Sequence, residues 1–116
     1  MMQLFQTEWC PSSHRVRQRL TELDIDFIAR QVPVARAGRQ RLIAASGSDV
    51  IPALLLDDGT SIVGEDAIEA YLDEHFGEPV GAESQRVKAE AMRCRELHAE
   101  LSALHPSVLS DQEVLR

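Results

Sequence analysis

The spacing of apolar and polar positions along this chain changes period several times. Residues 3–7, with Leu4 and Phe5, predict a short strand. Residues 11–23 place Val16, Leu20 and Leu23 at helical spacing and predict a helix. Asp24-Ile25-Asp26 reads as a turn, and residues 27–34 as a second strand. A short helix over residues 39–45 is expected to end at Gly47. Residues 52–56 predict a third strand, Asp58-Gly59 a two-residue hairpin turn, and residues 61–63 a fourth strand. Residues 65–76 carry Ile68, Tyr71, Leu72 and His75 at helical spacing. Acids open that segment, which suits the helix dipole, and Gly77 is expected to close it. After a short linker, residues 82–104 predict a long amphipathic helix. The residues from His105 onward are polar and read as a loose tail.

The order is strand, helix, strand, helix, strand, strand, helix. Alternating strands and helices argue for an α/β fold with helices on the faces of a mixed sheet. The first two strands with their connecting helix form a parallel crossover unit, and the last two strands form an antiparallel hairpin. Two regions are expected: an α/β domain over residues 1–77 and a helical extension over residues 78–116.

Composition narrows the function classes. The chain has 116 residues and a formal net charge of -7, a charge that disfavours nucleic acid or an anionic membrane surface as the main partner. Its longest apolar run, residues 51–56, is broken by Pro52 and is far short of the ~20 residues that span a bilayer. The N-terminus has neither the basic nor the apolar stretch of a signal peptide. Two cysteines, Cys10 and Cys94, do not make a secreted disulfide framework, so a cytoplasmic setting is expected.

The chemistry concentrates at Cys10-Pro11-Ser12-Ser13. A cysteine at a strand-to-helix junction lies beside unpaired backbone N–H groups and the positive end of the helix dipole, which favour a thiolate. Pro11 fits a first helical turn. Ser13 stands where a dithiol motif would carry its second cysteine, so Cys10 reads as an exposed nucleophile without a local resolving partner. The competing reading is a buried structural cysteine. Glu8 opposes ionisation, whereas His14, Arg15 and Arg17 favour it or simply form a solvated helix face. Trp9 either walls the thiol or packs on the sheet end. Cys94 lies on the stripe Val87, Ala91, Cys94, Leu97, Leu101 and Leu104, where packing is the default. Cys94 and His98 are four apart, but no second pair accompanies them, so no metal is expected.

Leu4-Phe5, the Cys10-Pro11-Ser12-Ser13 motif, Arg15-Val16 and Leu20 resemble the opening of glutaredoxins and of the glutathione transferase N-terminal domain. Val50-Ile51-Pro52-Ala53-Leu54 resembles the family's apolar residue, cis-proline and strand. The run from Asp58 to Val63, then Gly64-Glu65-Asp66-Ala67-Ile68 and Tyr71-Leu72, resembles its closing hairpin and the helix start that binds the γ-glutamyl end of glutathione. The Gly64-Glu65-Asp66 run is closer to the glutaredoxin form than to the transferase form, in which an acid precedes a serine.

The resemblance implies a thioredoxin-like fold with glutathione as co-substrate. It implies Cys10 and Ser13 as the catalytic pair of positions, with glutathione bound by Trp9, Pro11, Ser12, Ile51, Pro52, Glu65 and Asp66. The leading reading is a monothiol glutaredoxin-like oxidoreductase that removes glutathione from mixed disulfides, with glutathionylated thiols as partners. The alternatives are a non-catalytic glutathione-binding or protein-interaction module and a small transferase. A full transferase carries a large helical second domain, most of which the sequence here does not supply. The last helix is expected either to fold back on the sheet or to form a homodimer contact.

Overall fold

A computed structural model describes residues 1–104. The elements are β1 (Met2–Gln6), α1 (Pro11–Glu22), β2 (Phe27–Gln31), a 3-10 turn (Arg36–Gly38), α2 (Gln40–Ser46), β3 (Ala53–Leu55), β4 (Ser61–Val63), α3 (Glu65–His75) and α4 (Ala82–Leu104). The strands form one sheet in the order β2-β1-β3-β4. β1 and β2 are parallel; β1–β3 and β3–β4 are antiparallel. This is the mixed four-stranded α/β sheet that the periodicity predicts.

Strand alternation sorts the core onto two faces. Leu4 opposes Leu54, which opposes Ile62; Phe5 opposes Ala53, which opposes Val63. The first row packs with Val16, Leu20 and Leu23 at α1 and Ile68 and Leu72 of α3. The second packs with Val32 and Leu42 of the α2 side. The 3.6-residue spacing of Val16, Leu20, Ile68 and Leu72 places all four at 0% exposure, so both helices turn one apolar stripe to the sheet.

Several boundaries differ from expectation, each for a local reason. β2 stops at Gln31 rather than at residue 34. Pro33 has no N–H to continue a ladder, and the carbonyls of Pro33 and Val34 accept hydrogen bonds from Arg39 instead. β3 starts at Ala53 because Pro52 lacks a donor, while its carbonyl accepts the Gly64 N–H at 2.8 Å. The hairpin loop has three residues, Asp57 to Gly59, rather than two. The Leu56 N–H bonds Thr60 O at 2.8 Å, and Gly59 sits at φ 92°, where an L residue would be strained. α3 ends at His75, one residue before the expected end, with Phe76 rather than Gly77 as the closing residue. Phe76 turns to extended backbone, and its ring packs on the α1–α3 core. The 3-10 turn at Arg36–Gly38 has no counterpart in the expected elements.

The chain divides into two compact units, Met1–Ala82 and the part from Glu83 onward. In the second, Val87, Leu97 and Leu101 of the apolar stripe are exposed, and so is Cys94. The helix carries ion pairs one turn apart, Glu83–Arg86 at 2.8 Å and Glu90–Arg93 at 2.5 Å. The expected loose tail from His105 lies outside the described residues.

Candidate functional site

Strand register brings the site together. Phe5, Ala53 and Val63 lie in one row across β1, β3 and β4. The same end of the sheet therefore carries the exit of β1 toward Cys10, the entry to β3 at Pro52, and the exit of β4 into Gly64 and α3. The Ile51–Pro52 peptide is cis, as the resemblance implies. Pro52 is fully buried and Ile51 half-buried.

Cys10 is the N-cap of α1, with extended backbone at φ -83° and ψ 118°, and Pro11 opens the helix. Its Sγ accepts the Ser13 N–H at 3.4 Å, one of the donors that a helix start leaves unpaired. Burial pushes the thiol up. The Ser13 hydroxyl, the Ser13 and Ser12 N–H groups and the Arg15 charge outweigh it, so the Cys10 pKa lies below its ordinary value of 9.0. Cys10 is only 9% exposed, which corrects the expectation of an openly exposed thiol. Capping the helix draws the sulfur inward, and it keeps the donors that a thiolate needs.

Ser13 supports that sulfur from below. It is fully buried, and its Oγ accepts the Thr7 N–H at 3.4 Å. The Thr7 hydroxyl is buried and has no hydrogen-bond partner. Arg17 donates to the side chain of Gln6 and, at 3.3 Å, to Thr7 O, and lies 3.3 Å from Glu8. The Glu8 charge expected to oppose ionisation thus has a cation beside it. Trp9 is 59% exposed.

Arg15 is no mere solvated residue. Its Nε and Nη2 bond Glu65 Oε2 and Oε1 at 2.6 and 3.0 Å. The Arg15 hydrogen bond is the main reason Glu65 lies below the usual carboxylate range; burial opposes it and the Ser12 side chain assists. The structure thus brings Cys10, Pro11, Ser12, Ser13 and Glu65 together, with Ile51 and Pro52 at the same sheet end. Asp66 is exposed beside Glu65 in the first turn of α3.

Sequence reasoning missed Arg39. It is 5% exposed and donates to three carbonyls, Pro33 and Asp49 at 2.8 Å and Val34 at 3.1 Å. It ties the β2 exit to the segment that enters Ile51–Pro52. No spacing signal marks a charge aimed at backbone carbonyls. His75, given no partner from sequence, stacks on Tyr71 with ring centroids 4.2 Å apart. Among the described residues, no group of three or more His, Cys, Asp or Glu side chains could hold a metal ion. No described helix is long and apolar enough to cross a membrane.

The profile of the glutathione S-transferase N-terminal domain matches residues 4–80. The chain belongs to this family. Its transferase N-terminal domain is similar to that of a glutathione S-transferase domain-containing protein from Marinobacter aquaeolei VT8, at 34% identity and TM-score 0.57, covering 66% of this chain and 40% of that one. A glutathione S-transferase from Methylobacillus flagellatus KT, solved with glutathione bound, is 28% identical at TM-score 0.57 over 65% of this chain and 37% of that one. A glutathione S-transferase from Sinorhizobium meliloti 1021 shares the fold at TM-score 0.61 and 22% identity, over 74% of this chain and 36% of its own. The chain thus spans about two fifths of these transferases. No curated protein matches it by sequence. The family model matched is that of the transferase N-terminal domain, although Gly64-Glu65-Asp66 departs from the transferase pattern.

Proposed function

We propose that this protein carries out glutathione-dependent thiol–disulfide exchange through Cys10. The observation that carries the reading is the Cys10 sulfur at the α1 N-cap, hydrogen-bonded to Ser13 and favoured as a thiolate. The Cys10 thiolate attacks the glutathione sulfur of a mixed disulfide. The old S–S bond breaks, and the substrate thiol leaves as a thiolate that takes up a proton. Glutathione thiolate then attacks the glutathione sulfur on Cys10. Glutathione disulfide forms, and the Cys10 thiolate returns. Ser13, in place of a second cysteine, holds the sulfur and offers no internal disulfide. Ile51 pairs its backbone with the peptide of glutathione in this reading, beside Pro52, Pro11 and Ser12. The amides at the start of α3, with Glu65 and Asp66, receive the γ-glutamyl end. Trp9 covers the thiol side. Such chemistry suits a compartment where thiols stay reduced, as in the cytoplasm.

The family match favours a second reading, in which the same site transfers glutathione to small electrophiles. Assays of glutathionyl-disulfide reduction and of conjugation to a chlorinated aromatic, on wild type and Cys10→Ser, separate the two. Intact mass identifies the adduct. Disulfide reduction with a Cys10–glutathione adduct, both lost in Cys10→Ser, is the expected result. Conjugation without reduction selects the transferase reading. Neither activity, with glutathione still bound, leaves a binding module.

A further inference from the structure

The first turns of α1 and α3 meet through one side-chain pair. Arg15 grips Glu65 with two parallel hydrogen bonds, across 50 residues of sequence. Most exposed ion pairs contribute little, and bidentate geometry is the exception that fixes position. The pair lies at the surface, with the Glu65 side chain 19% exposed and the Arg15 side chain 56%, so it is the two-pronged geometry rather than burial that fixes the carboxylate. Ser12, in the same turn as Pro11, also favours the ionised Glu65 carboxylate. The charged groups facing Arg15 are Glu65 and Glu69 from α3 and Cys10 from the start of its own helix.

An unpaired Glu65 would set a negative charge where two other negative charges must sit: the Cys10 thiolate and the carboxylate of an incoming γ-glutamyl group. We infer that Arg15 is a positioning residue: its fork neutralises and pins Glu65, so that the start of α3 offers amides to the ligand and sets no unpaired carboxylate against Cys10. The inference rests on Cys10 being the nucleophile. Arg15 touches Glu65 rather than the reacting sulfur, and it acts through that contact.

The test is a double-mutant cycle in a Cys94→Ser background, which leaves Cys10 as the reporting thiol. Iodoacetamide alkylation of Cys10 is followed against pH in the parent, Arg15→Gln, Glu65→Gln, the double variant and Arg15→Lys. KM and kcat for a glutathionylated peptide are measured alongside. Arg15→Gln should move the alkylation profile to higher pH and raise KM severalfold. The double variant should recover part of the alkylation shift, because the unpaired carboxylate is gone, while its KM stays raised, because Glu65 itself receives the γ-glutamyl end. Arg15→Lys should keep the alkylation profile near the parent and still raise KM, since it retains charge without the fork. Parental behaviour of Arg15→Gln, or an alkylation shift in the double variant equal to the sum of the singles, overturns the inference. Should the parent not exchange glutathione at all, the functional reading fails. The alkylation cycle still decides whether Arg15 acts on Cys10 through Glu65.

Discussion

Replacing Arg39 with methionine should cost this fold roughly 2–3 kcal/mol. The guanidinium is 5% exposed, and its three donors reach Pro33 O, Asp49 O and Val34 O at 2.8, 2.8 and 3.1 Å. A hydrogen bond to a charged group is worth about 1.5–3 kcal/mol, so simple addition over three bonds overshoots what single substitutions remove. Two effects reduce the sum. The β2 exit loop is at the surface, with Val34 73% exposed, so its carbonyls regain water when the guanidinium leaves. The guanidinium also gave up its own hydration to enter. Methionine keeps the stem's apolar contacts, which isolates the polar loss. At about 4–8 °C per kcal/mol for a domain of this size, the expected fall in Tm is roughly 10–20 °C. Urea unfolding followed by far-UV circular dichroism is the assay; fluorescence is a poor substitute because Trp9 is already exposed. Hydrogen exchange at the Ile51 amide should quicken in the same variant, because Asp49 loses its anchor two residues upstream. A stability within ~0.5 kcal/mol of wild type would refute the reasoning, by showing that water serves the three carbonyls as well as Arg39 does.

Ser13→Ala should shift Cys10 alkylation to higher pH, because the Ser13 hydroxyl favours the thiolate. It also leaves the Thr7 N–H buried without its Ser13 acceptor, at about 1–3 kcal/mol by denaturant titration. Because folding lowers the Cys10 pKa, stability from the thiolate is fully present above the unfolded value and fades as pH falls through the folded one. The stability difference between wild type and Cys10→Ser should therefore shrink on acidification from the alkaline side; a difference that grows contradicts the assignment. Glu69 has the opposite sign. Burial first, then the neighbouring Glu65 and Asp73, raise its pKa, so folding favours its protonated form. Glu69→Gln should accordingly raise Tm at pH 7, and the gain should vanish below the carboxylate range, as thermal scans at both pH values will show.

What the sequence revealed, it revealed through period and punctuation. Val16, Leu20, Ile68 and Leu72 mark their helices by spacing alone, and all four are fully buried. Gly47 caps α2 at φ 76°, as its position after the apolar run implies. Cys10 followed by proline marks a helix start, and it is the N-cap. The misses share one cause: they depend on where a polar group finds its partner. β2 stops early because Arg39 captures the carbonyls beyond it, and Arg39 lies in a different element. Phe76 leaves α3 because the α1–α3 core takes its ring, which overrides the stop signal of Gly77. Arg15 looks like any basic residue on a helix until α3 brings Glu65 alongside. Local pattern fixes which face a residue takes, and only the assembled sheet decides which charges meet.

The core and the site are set by the same register. Side chains alternate between sheet faces, so a one-residue slip of β3 against β1 would exchange the places of Leu54 and Ala53. Leu54 would leave the α1–α3 cluster, where it is fully buried, and Ala53 would leave an alanine-sized gap there. Losing a buried leucine from such a position costs about 2–5 kcal/mol, which makes the slipped register unpopulated. The same slip would carry Pro52 away from the level of the β1 exit, and with it Gly64, whose N–H bonds Pro52 O. The apolar packing of Leu54 thus holds Ile51–Pro52 level with Cys10, and the Gly64 bond then sets where α3 begins. Arg15 can reach Glu65 only in that register. The alignment of thiol, proline and helix start is therefore enforced by the hydrophobic core rather than by contacts within the site.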